Sequence, residues 1–243
     1  MRKFSVVFFI VAMTMVVEAS FNREGQMDFA NSADSAAVKL ANATLLAHGG
    51  KKLKGMKTMS MRGGVELSRS GSTQAIPGSF VLVFAGVKNK VDIQSPFFNF
   101  KQVSDGTDHF YSIVGFGFPI YDSGIFAIAK IGEDGYRVSS LSGKLEKKNG
   151  FRITNPNGLF TDFIVNKKTN RVKEYESKYV LHEQDLTTSV VVDEYQEVEG
   201  ALVYKVFNQR LERGTDTFYA KFKAKEILVN SKIEESVFKI SGK

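Results

Sequence analysis

Residues 220–225 read AKFKAK, so that apolar and lysine side chains alternate at every position of this stretch. A period of two places the alanine and phenylalanine side chains on one face of a β-strand and the lysines on the other. Such alternation is typical of an antiparallel sheet that packs on one face and meets water on the other. Period-two patterns extend back along the chain almost to Lys57, which predicts a mainly β protein with few helices.

Turn-forming residues recur at short intervals through this β region, and we predict ten to twelve antiparallel strands joined by hairpins. The predicted turns are Gly63-Gly64, Pro77-Gly78, Lys88-Asn89, Asp105-Gly106, Asn149-Gly150, Asn155 to Gly158, Glu199-Gly200 and Arg213-Gly214. No linker or repeat divides the region. We therefore expect a single β domain over residues 20–243 with one continuous sheet.

Two predicted strands are apolar on both faces, namely residues 80–84 (FVLVF) and 201–207 (ALVYKVF). Such strands need cover on both sides. One amphipathic helix precedes the sheet, because apolar and small residues recur at three- and four-residue steps from Asp28 to Ala47 and Gly49-Gly50 then stops it. A single helix covers only part of one sheet face. The sheet must therefore curl on itself, be covered by loops, or hold an apolar molecule in its concavity.

The stretch from Phe97 to Phe126 is the most aromatic in the chain, with nine aromatic residues. Within it, residues 114–119 read VGFGFP, which alternates glycine with phenylalanine and is a poor design for a rigid core strand. A short helix that Asp122 or Ser123 caps is predicted to follow, carrying Ile125 and Phe126. Two interpretations stay open: ordinary core with a glycine-rich turn, or a mobile aromatic lid that admits acyl chains or touches a membrane.

The beginning of the chain is typical of a cleavable secretory signal peptide over residues 1–19. Arg2 and Lys3 precede an uncharged run from Phe4 to Val17, which is shorter than a membrane-spanning helix. An uncleaved anchor is the alternative. Because the sequence has no cysteine, neither a lipidated cysteine nor a disulfide is available. We therefore expect an exported protein that is released in soluble form.

No motif for a known chemistry is complete. The sequence has no Gly-x-Ser-x-Gly elbow and no phosphate-binding loop, and His182-Glu183 lacks the second histidine of a zinc protease motif because Leu186 stands there. His48 and His109 are interpreted as structural. We predict no enzyme, no metal and no cofactor. A hydrolase built on two carboxylates that meet only in space is the alternative.

The formal net charge is +7, and +6 once Arg2, Lys3 and Glu18 are removed. The lysines are dispersed in groups, which indicates a solvated surface. Transient contact with an anionic membrane surface is the functional alternative. Nucleic acid is not an expected partner, because no binding module is recognisable.

The order of landmarks resembles that of the LolA-like superfamily of outer-membrane lipoprotein carriers, especially its larger bacterial relatives. The stretches that carry the resemblance are 47–58 (AHGGKKLKGMKT), Asp105-Gly106, 163–172 (FIVNKKTNRV), 193–201 (DEYQEVEGA) and 233–238 (IEESVF). The resemblance implies a periplasmic protein with a strongly curved antiparallel sheet, or incomplete β-barrel. It also implies that the N-terminal helix lies on the concave side of that sheet and that an apolar cavity takes acyl chains.

The leading hypothesis is therefore an exported, non-enzymatic carrier for lipid or for the acyl chains of a lipoprotein. The alternative is an exported structural or surface-interaction domain that fills the sheet with its own side chains. The discriminating observation is whether the aromatic side chains line open volume. The candidate cavity or lid residues are Phe80, Leu82, Phe84, Phe98, Phe100, Phe116, Phe118, Phe126, Tyr204 and Phe207.

Overall fold

The computed structural model describes residues 23–114, 116–118 and 124–240, with side chains described from residue 34 onward. The signal peptide predicted over residues 1–19 and the predicted helix caps Asp122 and Ser123 lie outside these ranges. The helices are α1 (Arg23–Ala47), α2 (Lys51–Lys54) and α3 (Gly124–Ala129), and 3₁₀ turns span Gly143–Leu145 and Glu235–Phe238. No helix in these ranges is long and apolar enough to cross a membrane.

The strands of the described chain form one antiparallel sheet. They are β1 (Thr58–Arg69), β2 (Ile76–Ala85), β3 (Lys88–Gln94), β4 (Asn99–Ser104), β5 (His109–Tyr111), β6 (Arg137–Ser139), β7 (Gly150–Thr154), β8 (Phe160–Val165), β9 (Val172–Leu181), β10 (Gln184–Val198), β11 (Ala201–Arg213) and β12 (Asp216–Val229). Their order is β5-β4-β3-β2-β1-β12-β11-β10-β9-β8-β7-β6. The prediction of a mainly β fold with ten to twelve antiparallel strands is confirmed.

The order of strands describes two meanders joined side by side. Strands β1 to β5 follow one another from the middle of the sheet to one edge. Strands β6 to β12 follow one another from the opposite edge back to the middle, where β12 pairs with β1. Strands β5 and β6 are therefore the two edges, and they do not pair with each other. The connection between them, residues 112–136, must pass from one edge of the sheet to the other. We call it the crossing connection.

The sheet is strongly curved. The ring of Tyr111, at the end of edge strand β5, lies 5.7 Å from the ring of His182 in the turn between β9 and β10. Seven strand spacings separate β5 from β10, which would amount to roughly 34 Å in a flat sheet. The sheet must curl for these rings to meet, so the predicted strongly curved, open sheet is confirmed.

Three predicted turns are wrong. Gly63-Gly64 lies inside β1, at a bulge where the register with β12 shifts. A Cβ at Gly63 would collide with the carbonyl oxygen of Lys223, so the glycine allows the backbone of the neighbouring strand to come close. Pro77-Gly78 lies inside β2, where pairing with β3 starts only at Ser79, so Pro77 faces a partner strand on one side alone.

The third wrong turn is Lys88-Asn89, which begins β3. The hairpin turn is instead Gly86-Val87, two residues earlier. The predicted turns at Asp105-Gly106, Asn155 to Gly158, Glu199-Gly200 and Arg213-Gly214 do join or end strands, and Asn149-Gly150 leads into β7. Turns that depend only on local residues were therefore predictable, and those that depend on a neighbouring strand were not.

Helix α1 packs on the same core as the concave face of the sheet. Ala37, Ala41 and Leu45 recur every four residues, are buried, and face β6, β7 and α3. The backbone N–H of Ser140 donates to Asp34 Oδ1 at 3.1 Å and so ties the helix to the segment after β6. The predicted helix over Asp28 to Ala47 is confirmed, and it begins five residues earlier, at Arg23.

His48 follows α1 and joins three parts of the fold. Its Nδ1 donates to the carbonyl oxygen of Leu202 at 3.1 Å, and its Nε2 accepts from the N–H of Val172 at 3.2 Å. The ring is fully buried between these strands. Burial, with a smaller contribution from the charge of Arg171, lowers its pKa to about 4. The ring is therefore neutral and its position is structural.

Candidate functional site

Two described parts of the crossing connection, Phe116–Phe118 and α3, lie over the concave face of the sheet. Helix α3 buries every residue from Gly124 to Ile128, and the ring of Phe126 stacks on that of Phe84 in β2 with centroids 3.9 Å apart. The short helix predicted here is confirmed. Since α3 is apolar all round and only six residues long, its stability comes from packing against the sheet.

The segment Phe116–Phe118, which precedes α3 in the crossing connection, is fastened to both halves of the sheet. Gln102 of β4 accepts from the N–H of Phe118 with Oε1 at 2.8 Å and donates to the carbonyl of the same residue with Nε2 at 2.9 Å. Tyr179 of β9 donates its hydroxyl to the carbonyl of Gly117 at 2.7 Å. Burial raises the pKa of Tyr179, so this hydroxyl remains a donor.

Gly117 sits where no side chain fits. A Cβ at this position would lie 2.5 Å from Cε1 of Tyr111 and 3.0 Å from Cδ2 of Leu181. The glycine therefore lets the Phe116–Phe118 segment pass between β5 and the end of β9. The ring of Phe116 then meets Phe100 at 5.0 Å on one side and Phe218 at 5.7 Å on the other. Gly117, between Phe116 and Phe118, thus allows this segment to bridge the open side of the sheet.

An inner cavity of about 90 Å³ lies between α3, the Phe116–Phe118 segment and the central strands. Its wall is mainly apolar. The lining residues include Met59, Met61, Phe80, Leu82, Val91, Phe118, Ile125, Phe126, Tyr175, Val203, Tyr204, Phe207 and Phe222.

An outer cavity of about 220 Å³ adjoins the inner one, because Phe118 and Gln209 line both. Apolar side chains form most of its wall, and they include Leu67, Ile76, Ile93, Phe98, Phe116, Leu211, Phe218 and Ala220. The remaining wall contains Ser72 and Gln74 of the exposed turn between β1 and β2. The outer cavity therefore reaches the surface at that end of the sheet.

The structure brings most of the predicted site residues to these cavities. The inner cavity is lined by Phe80, Leu82, Phe118, Phe126, Tyr204 and Phe207, and the outer one by Phe98, Phe116 and Phe118. Two other predicted residues, Phe84 and Phe100, lie behind the cavity walls. Phe84 is covered by Phe126, and Phe100 is buried against Phe116 and Phe118, so neither lines either cavity.

Several lining residues were missed from the sequence, among them Met59, Met61, Phe218, Ala220 and Phe222. The sequence does contain a signal for Ala220 and Phe222. The AKFKAK pattern already places Ala220 and Phe222 on the packed face of β12, and Ala220 pairs with Leu67 there. Met59 and Met61 carry no such signal, because their inward direction depends on the register of β1 with β2 and β12.

Polar groups in the cavity walls are few. Gln209 Nε2 donates to Thr188 Oγ1 at 2.8 Å, and this pair lies where the two cavities meet. Tyr204 lines the inner cavity and is 6% exposed. Among the described residues, its hydroxyl and that of Thr44 are the buried side-chain polar atoms without a hydrogen-bond partner. Burial raises the pKa of Tyr204, so its hydroxyl is protonated.

One carboxylate is buried in the part of the chain whose side chains are described. The buried carboxylate there is Asp162 on β8, and Arg152 of β7 binds both of its oxygens, at 2.6 and 2.8 Å. The guanidinium of Arg152 also lies over the ring of Phe160. This pair ties two strands together on the sheet. Glu176 stands opposite Asp162 on β9 and forms an ion pair with Lys178 at 3.7 Å. The described residues also contain no cluster of three or more potential metal ligands.

No family model matches the sequence, and a comparison with curated proteins also finds no match. Solved structures do match. A DUF1329 family protein from Desulfovibrio piger has a TM-score of 0.49 at 11% identity, covering 86% of this chain and 98% of its own. A LolA superfamily protein from Nitrosomonas europaea has a TM-score of 0.46 at 11% identity, covering 87% and 97%. A putative outer membrane lipoprotein-sorting protein domain from Vibrio parahaemolyticus has a TM-score of 0.45 at 10% identity, covering 84% and 97%. The superfamily that the sequence resembles is thus represented among these structures.

Proposed function

We propose that this protein is an exported, non-enzymatic carrier that binds lipid or the acyl chains of a lipoprotein in the cavity under the crossing connection. The proposal includes cleavage of the signal peptide at residues 1–19 and work in the periplasm. It needs no cofactor, because the chemistry is burial of apolar surface.

The observation that carries the proposal is the paired cavity. Its two parts come to about 310 Å³ together, which is within the range of small-molecule sites in proteins, roughly 300–1,000 Å³. Apolar cavities of this kind stay dry and take apolar molecules. Each methylene moved from water into such a site stabilises the complex by about 0.8 kcal/mol before the cost of ordering the chain.

Aromatic side chains that line open volume favour the carrier hypothesis over a structural domain whose own side chains fill the concave side of the sheet. Phe80, Phe118 and Phe207 contact the inner cavity, and Phe116 contacts the outer one. A domain with a purely structural role has no need for such space, because unfilled core volume destabilises a fold by about 20 cal/mol per Å² of cavity surface.

The opening of the outer cavity suggests how cargo enters. Phe97, in the turn between β3 and β4, is 84% exposed, and Val114 after β5 is 80% exposed. By the direction of the strands, both lie at the end of the sheet where the outer cavity reaches the surface, and Phe97 directly precedes the lining residue Phe98. Acyl chains would pass this apolar rim before they reach the cavity.

Cargo binding is tested by filling the outer cavity. Ala220 lines it from β12, and Ala220→Phe places a ring in the space. The purified chain is titrated with the fluorescent probe N-phenyl-1-naphthylamine, which palmitate then displaces. We expect the wild type to bind both and Ala220→Phe to lose at least tenfold in affinity for both.

The matched control is Lys225→Phe, which adds the same ring to an exposed position of the same strand. It should bind as the wild type does. Native mass spectrometry and lipid extraction of the protein from its own periplasm identify the cargo. An empty protein that also fails to bind the probe would leave the structural β domain as the better account.

A further inference from the structure

We infer that the end of the sheet at which α2 lies is a docking surface for an acidic segment of a partner protein. Four segments form this surface, which we call the basic end: residues 51–57, 144–148, 167–173 and 197–199. By the direction of the strands, it lies opposite the end at which the outer cavity reaches the surface. The inference goes beyond the proposed function, and only the choice between a protein and a bilayer as partner rests on it.

His48 brings three of these segments together. Its Nδ1 donates to the carbonyl of Leu202, beside the turn between β10 and β11, and its Nε2 accepts from the N–H of Val172. The stem of Lys52 in α2 lies along the same turn, because a Cβ at Gly200 would be 3.2 Å from Cγ of Lys52. Helix α2 is therefore placed between the turn at 197–199 and the segment 167–173.

The segment 144–148 adjoins the segment 167–173. Asn149 Nδ2 donates to the carbonyl of Val165 at 3.0 Å, and the N–H of Val165 donates to the carbonyl of Asn149 at 2.8 Å. The N–H of Asn166 then donates to the carbonyl of Arg171 at 2.9 Å and closes the turn between β8 and β9. The backbone of the basic end is thus fixed before a partner arrives, which lowers the entropic cost of binding.

The net charge of the protein is concentrated at the basic end. This end contains eleven lysine and arginine residues and three glutamates, a formal net charge of +8, whereas the whole sequence carries +7. The rest of the sequence therefore sums to −1. The residues are Lys51, Lys52, Lys54, Lys57, Lys144, Lys147, Lys148, Lys167, Lys168, Arg171 and Lys173, with Glu146, Glu197 and Glu199.

The cations of the basic end are exposed and have no carboxylate partner. All eleven side chains are exposed, and none forms an ion pair within the part of the chain whose side chains are described. Lys54 donates to the carbonyl of Ile131, a neutral acceptor that leaves its charge uncompensated. On the central strands, in contrast, Arg62 pairs with Glu226 and Lys223 with Glu66.

This distribution of charge fits an acidic segment. Like charges held on one rigid surface repel one another, and a partner that carries several carboxylates removes this repulsion and gains attraction to many cations at once. The cations come from three separate stretches of the chain, so they present a surface for a row of carboxylates and not a pocket for one small anion. Such complementarity mainly accelerates association and selects the partner.

The position of the apolar rim favours a protein over a bilayer as the partner. Under the proposed function, Phe97 and Val114 face the membrane from which cargo comes. The basic end then points away from that membrane into the aqueous phase, where an acidic segment of a protein can reach it. The glutamates at 146, 197 and 199 would also oppose an anionic bilayer, whereas a narrow segment can pass between them.

The test measures binding of a fluorescein-labelled dodecapeptide of glutamate by fluorescence anisotropy. The wild type should bind this peptide more weakly as salt is raised from about 0.05 M to about 0.5 M, and it should not bind the same peptide with glutamine at every position. The double variant Lys51→Glu with Lys168→Glu should bind about tenfold or more weakly, because it replaces attraction with repulsion at the basic end.

The matched control is Arg137→Glu with Lys225→Glu, which changes the net charge equally. Both side chains are exposed and lie outside the basic end, at the start of β6 and on β12. This variant should bind the acidic peptide within about twofold of the wild type. Both double variants should keep the melting temperature and the affinity for N-phenyl-1-naphthylamine, because all four positions lie at the surface, away from both cavities.

Two results would overturn the inference. Equal weakening of peptide binding by the two double variants would show that net charge acts without a defined surface. If the variant at the basic end keeps peptide binding but loses more binding to phosphatidylglycerol vesicles than the control, this end faces lipid. A wild type that binds the acidic peptide but not N-phenyl-1-naphthylamine would contradict the carrier proposal and still support a docking surface for an acidic segment.

Discussion

His48 shows how one side chain can link folding to pH. Its Nδ1 and Nε2 join β11 and β9 across the end of α1. The bond that Nε2 accepts requires the neutral ring with its proton on Nδ1. Protonation would place a second donor against the N–H of Val172 and a charge in a buried site near Arg171. The residue is thus a structural junction whose hydrogen bonds depend on its protonation state.

We predict that the free energy of unfolding falls by about 2 kcal/mol between pH 7.5 and pH 5 because of His48 alone. The pKa of the folded state, about 4, lies below the 6.5 of the unfolded chain, so the unfolded state takes up the proton first as the pH falls. The contribution of His48 to the free energy of unfolding is therefore fully present above about pH 6.5. It declines as the pH falls to about 4 and stays constant at lower pH. Urea titrations at the two pH values measure the drop.

The variants for this prediction are His48→Gln, which should lose this part of the pH dependence, and His109→Gln, which should keep it. His109 is an exposed histidine on β5, so its replacement tests for a general effect of removing an imidazole. A pH dependence that stays the same in His48→Gln would show that other groups cause it.

At the scale of elements, the crossing connection is the part of the fold on which the proposed binding depends. It passes between two sheet edges that do not pair, and its Phe116–Phe118 segment is held there by Gln102 from one meander and Tyr179 from the other. A few side-chain hydrogen bonds are easier to break than a strand ladder. Besides these bonds, the packing of Phe116 against Phe100 and Phe218 holds the segment. Because it belongs to no strand, we expect it to separate from the sheet without loss of the sheet itself.

We predict that Tyr179→Phe accelerates both uptake and release of N-phenyl-1-naphthylamine by roughly fivefold, because one hydrogen bond contributes about 1 kcal/mol net. The affinity should change little, since the variant leaves the cavity walls intact. Hydrogen exchange of the Phe118 amide, which donates to Gln102, should accelerate as well. Stopped-flow fluorescence and exchange mass spectrometry measure these rates.

Tyr195→Phe serves here as the matched control, because it removes a buried hydroxyl that bonds to Val172 instead of the crossing connection. Its rates should equal those of the wild type. Equal rates in Tyr179→Phe would mean that ligand reaches the cavity without displacement of the Phe116–Phe118 segment.

At the scale of the whole molecule, the sequence predicts what depends on local pattern. The alternation around Phe222 predicts β12, and the turn at Glu199-Gly200 predicts the hairpin of β10 and β11. The sequence does not predict which side chains line the cavities. Phe84 and Phe100 were assigned to the cavity with their neighbours, but Phe126 and Phe116 cover them, and only the path of the crossing connection decides this. The roles of Gln102 and Tyr179 likewise arise from contacts with residues 16 and 62 positions away along the chain.

The apolar rim at the open end of the cavity leads to a prediction for the whole molecule at a membrane. Because the formal net charge is still +6 after the proposed removal of residues 1–19, we expect attraction to anionic lipid surfaces, with insertion of Phe97 and Val114. We predict salt-sensitive binding to vesicles that contain phosphatidylglycerol and weaker binding to neutral phosphatidylcholine vesicles. The double variant Phe97→Ser with Val114→Ser should bind the anionic vesicles at least threefold more weakly in a flotation assay.

Leu46→Ser tests whether the position of exposed apolar surface matters, as opposed to its amount. Leu46 is 73% exposed on α1, close to the point where the chain enters β1 at Thr58, which is the opposite end of the sheet from the turn between β1 and β2. If the rim is the contact surface, Leu46→Ser binds vesicles as the wild type does. Equal weakening by both changes would instead indicate attraction without a preferred orientation, and the cavity would then not face the membrane from which cargo comes.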